Sequence, residues 1–306
     1  MNAGLWCDRF REHLRVSNYS EATIYEYGRE VGKLCEFLGE REVTEPHQIL
    51  RDDVVSYQLF LLDIRKPDGT PLAPGTRVNK LKALLSFLRY LKEAGFVLSA
   101  LDAHVKSFKP PDSLPPELPD EEQVFRLLEE PNINSPCGRR DRALLELLYA
   151  CALRNTELRS LLISDVDLHR LELTVRKGKG NKSRLVPLSE TAAVWLEEYL
   201  SRGRPLLETS QSGGFLFLNT HGRRLRRDTL SRIVQKYARA AGLSMKVTPH
   251  LLRHSCATHM LSRKAGLRHL QKFLGHASVS STERYARVDV SDLREVLMQC
   301  HPRESL

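Results

Sequence analysis

Apolar residues recur every three or four positions through the first hundred residues, a spacing that places them on one face of a helix. Ser20 is a plausible cap for the second of these helices, and Gly75 or Thr76, just after Pro74, opens the fourth. No strand pattern interrupts them, so residues 1–108 are predicted to form an all-α domain. The predicted helices lie at about 5–16, 20–38, 50–63 and 75–94.

A proline-rich stretch, KPPDSLPPELPDEEQ at residues 109–123, follows this helical region. Proline lacks a backbone N–H and disrupts a helix interior, so the stretch is predicted to be an extended connector. We assign 109–119 to the linker and 120–306 to a second domain. The prolines are Pro110, Pro111, Pro115, Pro116 and Pro119.

The second domain combines helical periodicity with one segment of strand-like alternation. Between Val166 and Leu188 apolar and polar residues alternate around a glycine-rich turn, which indicates a hairpin and a small antiparallel sheet. The predicted fold class is therefore mainly α, with a small antiparallel β-sheet in the C-terminal domain. Helices are predicted at about 120–130, 138–151, 155–162, 189–201, 226–241 and 248–300, the last with breaks at Gly266, Gly275 and Asp289.

Length and charge narrow the class of protein. A chain of 306 residues is long enough for two domains, each with its own core. The formal charge of +9 favours a polyanionic partner such as nucleic acid, because lysine and arginine neutralise phosphates.

No apolar run is long enough to span a bilayer, and the charged first residues do not resemble a secretory signal, so a cytoplasmic protein without a membrane partner is expected. Six cysteines without a C-x-x-C pair favour reduced thiols.

The segment from Thr248 to His259 has the highest density of candidate functional side chains. Pro249 suits a first helical turn, and His250 and Arg253 stand three residues apart, so both are predicted to project from one face. A base and a guanidinium on that face could hold a phosphate, since arginine matches phosphate oxygens with two parallel hydrogen bonds. The alternative is a basic surface helix that contacts only solvent.

The same segment also permits a zinc site. His250 and His254 are four residues apart, with Cys256 and His259 nearby. However, Leu251 occupies the position where a zinc protease motif places its catalytic glutamate. We therefore expect no metal. The sequence also lacks the usual glycine-rich loops that bind the phosphates of a nucleotide, so no other cofactor is expected.

Three further segments carry candidate residues. Arg154 lies at the entrance of a predicted helix, where a salt bridge to Glu157 is the structural alternative. Lys179, in the turn of the predicted hairpin, could donate a proton if neighbouring cations lower its pKa, or could simply be solvated. Tyr285 follows His276 by nine residues; its ordinary pKa near 10 makes it a poor nucleophile without a nearby base or cation, and a packing role is the alternative.

These motifs occur together and in one order: R-x-x-E, a G-K-G hairpin, H-x-x-R, L-G-H, and a tyrosine nine residues on. The ordered set resembles the catalytic domain of the tyrosine recombinases, the phage-integrase and Xer family. The resemblance covers nearly the whole chain, including the N-terminal domain, which is similar to the family's SAM-like core-binding DNA clamp. The stretches RDRALLELLYACALRNTEL, GKGNKSRLVPL and TPHLLRHSCATHML, and the tail His301-Pro302-Arg303, are similar to Xer proteins in particular.

The resemblance implies a role for each motif residue on the phosphate. Arg154 and Arg253 would clamp the scissile phosphate, and His276 would hydrogen-bond a non-bridging oxygen. Preorganised cations at such oxygens are each worth about two to three orders of magnitude in rate. Glu157 is expected to orient the active site from behind these groups.

The resemblance also assigns the proton transfers. Tyr285 would form a 3′-phosphotyrosyl link, His250 would handle the tyrosine proton, and Lys179 would protonate the departing 5′ oxygen. Because the covalent ester conserves the bond energy, rejoining would need neither ATP nor metal.

Two stretches depart from the family's pattern. The box around Arg154 has Ala152 and Thr156 where the family often has glycine and serine. Before the L-G-H box, residues 262–266 replace a more usual glycine-alanine-aspartate run. The second change bears on local DNA contacts rather than on the chemistry.

The resemblance implies double-stranded DNA as partner and a homo- or hetero-tetramer on two DNA sites. Leu293, Val296 and Leu297 would place the C-terminal helix on a neighbouring protomer; the alternative is a helix folded back on its own domain. Two other functions stay open at this point, a non-catalytic DNA-binding or regulatory protein and a relaxing topoisomerase. All six candidate catalytic positions are filled, which argues against the non-catalytic protein, and the Xer-like N-terminal domain and tail argue against the topoisomerase.

Overall fold

The chain divides into two compact units, Met1–Pro115 and Pro116–Leu306. The predicted domain limits at 108 and 120 stay predictions, because most of the linker at 109–119 lies outside the described residues. The computed structural model describes residues 3–98, 100–106, 117–176, 183–275 and 290–304.

The first unit confirms the predicted all-α domain. Ser20 caps the second helix by accepting a hydrogen bond from the backbone N–H of Thr23. The fourth helix begins at Pro74, one residue before the predicted start, because proline fits the first helical turn, where no intrahelical N–H bond is needed. The helices are α1 (Ala3–Val16), α2 (Glu21–Gly39), α3 (Arg51–Asp63) and α4 (Pro74–Glu93).

The second unit contains the remaining helices, in the predicted order. The segment predicted at 248–300 divides near the two glycines, and Gly275 ends α11 in the left-handed conformation that favours glycine. None of the helices in the described part of the chain combines the length and apolarity needed to span a bilayer. The helices are α5 (Glu121–Glu129), α6 (Pro136–Ala150), α7 (Asn155–Ser160), α8 (Glu190–Glu198), α9 (Arg227–Ala240), α10 (Pro249–Ser262), α11 (Leu267–Leu274) and α12 (Val290–Cys300).

Helix α6 is the centre of the second unit. Residues 143–153, which run from its middle to the start of α7, are completely buried. A helix that is buried on every side must be surrounded by other elements, and α8 and α10 both pack against it. The backbone that leads to Arg154 is therefore fixed by the core before the functional residues begin.

The predicted hairpin is part of a three-stranded antiparallel sheet. Strands β2 (Glu172–Val175) and β3 (Arg184–Pro187) form the hairpin, and the two-residue strand β1 (Val166–Asp167) pairs with β2. Leu173 lies opposite Val186, and both are buried. The register places Val175 opposite Arg184, so Arg184 shares the buried face of β3 with Val186.

The end of the chain is anchored in the second unit by a buried ion cluster. The Glu146 carboxylate, fully buried on α6, accepts hydrogen bonds from Arg303 at 2.7 and 3.2 Å and from Arg142 at 3.0 Å. The Arg303 guanidinium also lies 5.2 Å from the centre of the Phe125 ring. Leu297 of α12 is fully buried in the same core. In the single chain, the C-terminal helix is thus folded back on its own unit, as the alternative interpretation expected.

We predict that Arg303→Ala lowers the free energy of unfolding by about 2–4 kcal/mol, because it leaves a buried carboxylate with one partner fewer. Urea denaturation followed by circular dichroism measures the change. Arg202→Ala is the matched control: Arg202 is 71% exposed and pairs with Glu198 at 3.5 Å, so its loss should cost less than about 1 kcal/mol. Equal effects of the two variants would contradict the anchoring role of Arg303.

Candidate active site

Arg154 stands at the junction between α6 and α7, at the N-cap of α7. The Arg154 side chain makes no capping hydrogen bond; the Glu157 carboxylate instead accepts the backbone N–H of Arg154 at 2.9 Å. The Arg154 side chain donates from Nη1 to the same carboxylate at 2.7 Å and from Nη2 to the carbonyl oxygen of Gly275 at 2.8 Å. The salt bridge to Glu157 that the sequence analysis gave as the structural alternative is therefore present. It holds the Arg154 guanidinium in a fixed orientation and leaves it part of the candidate site.

The turn before Arg154 is strained. Ala152 has a φ of +44°, in the left-handed region that costs an L-residue roughly 1–2 kcal/mol relative to the right-handed one. The carbonyl oxygen of Ala152 accepts a hydrogen bond from Nη1 of Arg253. Position 152, where the family often has glycine, thus adopts a backbone conformation that favours glycine. In this conformation its carbonyl oxygen binds Arg253.

Arg253 lies on α10 and is 7% exposed. Its Nη1 and Nη2 donate to the backbone carbonyls of Ala152 and Leu274, so the guanidinium joins the end of α6 to the end of α11. Burial and the nearby Arg154 guanidinium lower the pKa of Arg253 to about 10, which leaves it charged at neutral pH. Because a guanidinium has five N–H donors, these two bonds leave three for a ligand.

His250 is in the first turn of α10, and its side chain is exposed. The sequence placed His250 and Arg253 on one helical face, but their surroundings differ, since Arg253 is buried against two carbonyls. Thr248 caps the helix as predicted, accepting the backbone N–H of Leu251. The structure therefore presents His250 to solvent and Arg253 to the core from the same short segment.

The histidines considered for zinc do not converge. His254 is exposed, whereas His259 is buried and its Nδ1 lies 2.9 Å from the hydroxyl of Tyr149. Burial raises the pKa of the Cys256 thiol to about 12, which opposes the thiolate that zinc needs. Within the described ranges, no group of three or more His, Cys, Asp or Glu side chains is arranged to hold a metal ion.

Three of the predicted site residues, Lys179, His276 and Tyr285, lie outside the described residues. The structure describes chain on both sides of the Lys179 turn, in β2 and from residue 183 into β3. It also describes Gly275, which precedes His276 directly and accepts the Arg154 hydrogen bond. Of the predicted set, the structure brings Arg154 and Arg253 to one place.

Arg184 is a site residue that the sequence analysis missed. Its Nη1 and Nη2 donate to the two carboxylate oxygens of Glu157 at 2.9 and 3.0 Å. A signal was present in the alternation along β3, where Arg184 is two residues before the buried Val186 and so lies on the buried face. An arginine at such a position needs a buried partner, and Glu157 is that partner.

Electrostatics distinguish this cluster from an ordinary ion pair. Arg154, Arg184 and Arg253 bring three positive charges, and Glu157 supplies one negative charge. Burial by itself would raise the pKa of the Glu157 carboxyl, but hydrogen bonds from Arg184 and Arg154 outweigh burial and lower the pKa to about 2. The surplus of positive charge suits an anion with more than one negatively charged oxygen, and arginine forks are matched to phosphate.

Comparison with family models identifies both parts of the chain. The model of the phage integrase family matches residues 119–292, and the model described as "Phage integrase, N-terminal SAM-like domain" matches residues 6–95.

Characterised relatives match over almost the full length. A tyrosine recombinase XerD of Listeria monocytogenes is 36% identical over 93% of this chain and 94% of its own length. A tyrosine recombinase XerC of Oceanobacillus iheyensis is 36% identical over 98% of this chain and 96% of its own length.

Solved structures match in fold. Lambda integrase residues 75–356, a dimer bound to a COC′ core site, has a TM-score of 0.67 at 19% identity, covering 94% of this chain and 98% of that one. The XerH site-specific recombinase bound to its difH substrate has a TM-score of 0.63 at 23% identity, covering 96% and 94%.

We predict that Glu157 contributes stability that depends on pH. Its pKa is lowered from the ordinary 4.5 to about 2. The contribution is therefore present above pH 4.5 and is lost as the pH falls toward 2. Between pH 6 and pH 3 the wild type should lose about 2 kcal/mol more unfolding free energy than Glu157→Gln, measured by urea titration. Glu122→Gln, at a side chain that is 82% exposed, is the control and should keep the wild-type pH dependence; parallel curves for wild type and Glu157→Gln would contradict this account.

Proposed function

The chain belongs to the phage integrase family, the tyrosine recombinases, and we propose that it is a site-specific DNA recombinase that cleaves and rejoins DNA through a 3′-phosphotyrosyl intermediate. The observation that carries this function is the partly buried cluster of three guanidiniums, two of which bind the Glu157 carboxylate while the third lies nearby. A phosphodiester gains negative charge on its non-bridging oxygens as a nucleophile attacks. The cluster supplies fixed positive charge that stabilises this developing negative charge.

The phosphate is held by Arg154 and Arg253. Both side chains are oriented by backbone carbonyls of the α6–α7 turn or of the end of α11, and both keep N–H donors for phosphate oxygens. His276, the residue directly after Gly275, donates to another non-bridging oxygen. Because the guanidiniums are positioned before substrate arrives, little reorganisation is needed during the reaction.

Cleavage transfers the phosphoryl group from DNA to protein. The Tyr285 oxygen forms a bond to phosphorus while the bond from phosphorus to the 5′ oxygen breaks, and His250 accepts the tyrosine proton. Lys179 gives a proton to the departing 5′ oxygen, which becomes a hydroxyl. Rejoining reverses these steps with a 5′ hydroxyl from either strand, so the balance of atoms and charge needs no nucleotide cofactor.

DNA is the partner that the exposed charge of both units fits. In the second unit, Arg226, Arg227 and Arg232 line a groove at the start of α9. Asp228 lines the same groove and pairs with Arg226 and Arg232, so the lining keeps a net positive charge. In the first unit, the exposed Lys82 and Arg89 of α4 line a separate groove. Cations along such grooves neutralise backbone phosphates and displace counterions.

A multimer on two DNA sites is the assembly that exchange of strands requires. Among structural neighbours, lambda integrase is described as a tetramer bound to a Holliday junction. Here α12 is folded on its own unit in the single chain, with Leu297 buried and Val296 packed against the same core. Docking of this helix on a neighbouring protomer remains a prediction for the complex on DNA.

We predict that the protein forms a covalent adduct with nicked duplexes whose sequence it has selected from a random pool. A nick beside the cleavage site lets the 5′-hydroxyl fragment diffuse away, so the adduct accumulates and survives denaturant. Tyr285→Phe, which lacks the hydroxyl, should bind the same duplex and form no adduct in denaturing gels.

A plasmid that carries two copies of the selected site separates the functions. Recombinant products support the proposal. Relaxation without recombinants would identify a topoisomerase, and tight binding without an adduct would identify a non-catalytic DNA-binding protein.

A further inference from the structure

We propose that Arg184 is a positioning residue for strand cleavage, which holds the Glu157 carboxylate so that Arg154 is aimed at the scissile phosphate. The inference rests on the proposed function and deepens it. Arg184 lies in the Xer-like stretch GKGNKSRLVPL, but the resemblance assigned it no role, and the role proposed here follows from its contacts.

The first contact is a two-pronged bond between β3 and α7. Arg184 donates from Nη1 and Nη2 to the two oxygens of Glu157, at 2.9 and 3.0 Å. A parallel pair of this kind fixes the plane of the carboxylate as well as its position. Arg154 donates to one of the same oxygens at 2.7 Å, so its orientation depends on the plane that Arg184 sets.

The second contact is with the end of α11. Gly275 has a φ of +62°, and a Cβ there would lie 2.9 Å from Cζ and Nε of Arg184. The guanidinium of Arg184 therefore lies directly against the Gly275 backbone, and any side chain at this position would displace it. The Gly275 carbonyl is also the acceptor of the second Arg154 hydrogen bond. Arg184 thus contacts both Glu157 and Gly275, the two residues whose oxygens orient the Arg154 side chain.

The hydrogen-bond pattern of Arg184 marks it as positioning rather than catalytic. Both of its terminal nitrogens are directed at Glu157, and its buried Nε has no acceptor among the described residues. Its fork is therefore already occupied by a carboxylate. Arg154 has one terminal nitrogen on Glu157 and the other on a carbonyl. The two side chains are similarly exposed, at 20% and 17%, so the assignment rests on the paired bonds of Arg184 to one carboxylate.

Charge explains why this position uses arginine. A third cation beside Arg154 and Arg253 is unfavourable in itself, and the Arg184 charge is among the causes that lower the pKa of Arg253. Lysine would keep that repulsion but lose the planar fork that fixes the carboxylate. Glutamine would remove the repulsion and could engage one carboxylate oxygen at most through its amide donors. Both replacements lose the paired bonds from Arg184 and leave the Glu157 carboxylate held mainly by the backbone N–H and Nη1 of Arg154.

The test compares cleavage rates with the selected nicked duplex in single turnover. Arg184→Gln and Arg184→Lys should each slow adduct formation by about 10- to 100-fold, the range typical when a residue that orients a ligand-binding side chain is replaced. The dissociation constant for the duplex should change by less than about threefold, since both terminal nitrogens of Arg184 are already bonded to Glu157. Arg170→Gln, in the turn between β1 and β2 and 78% exposed, is the control and should cleave at the wild-type rate.

A double-mutant cycle separates positioning from general stability. If Arg184 acts through Arg154, then in an Arg154→Gln background the further change Arg184→Gln should slow cleavage by less than about threefold. Independent, multiplicative losses would overturn the proposal. So would a wild-type cleavage rate in Arg184→Gln.

A measurement on the free protein keeps this inference separate from the proposed function. In ¹⁵N-arginine-labelled protein, the Arg154 side-chain signal is assigned by its loss in Arg154→Gln. Arg184→Gln should shift or broaden that signal, while Arg170→Gln should leave it unchanged. An unmoved Arg154 signal would overturn the positioning role whether or not the wild type cleaves DNA. Absence of an adduct with the wild type would instead overturn the proposed function.

Discussion

The catalytic unit depends on one carboxylate. Glu157 accepts hydrogen bonds from the Arg154 backbone and from two guanidiniums, and a third guanidinium, that of Arg253, is close enough for its pKa to respond to the charge of Glu157. Three arginines in a largely buried space repel one another, and each loses hydration. The single negative charge makes the cluster stable while leaving it positive. An anion with two or more charged oxygens is therefore a natural occupant.

The core of the unit holds this cluster in place. Helix α6 is buried along its second half and is followed by the strained Ala152, whose carbonyl oxygen accepts a hydrogen bond from Arg253. Helix α11 ends at Gly275, whose left-handed conformation turns its carbonyl toward Arg154. Arg184 comes from the sheet. Five separate elements, α6, α7, α10, α11 and β3, thus meet at one point, and their side chains are positioned without substrate.

The helices were predictable because their local signals agree with their packing. Ser20 and Thr248 cap helices as their sequences indicate, and the break at Gly275 matches a left-handed helix end. The start of α4 at Pro74 and the short strand β1 were not predicted. A two-residue strand has too few positions to show alternation, and its pairing with β2 is a tertiary choice.

The candidate site was predictable only in part. The ordered motifs pointed to Arg154 and Arg253, and the structure joins them through Leu274, Gly275 and Ala152. The role of Arg184 depends on a contact between residues 27 positions apart, across a sheet and a helix start. Local sequence patterns do not predict a contact between residues so far apart along the chain. The different exposure of His250 and Arg253 likewise depends on what packs around α10, which a three-residue spacing does not specify.

The most direct test is a structure of Tyr285→Phe bound to an uncut duplex that carries the selected site. The account predicts one phosphate with oxygens about 3 Å from nitrogens of both Arg154 and Arg253, with the side chain at position 285 facing that phosphate. Arg184 should remain on Glu157 and should not touch DNA. A duplex whose phosphates all lie away from these two guanidiniums would contradict the central claim.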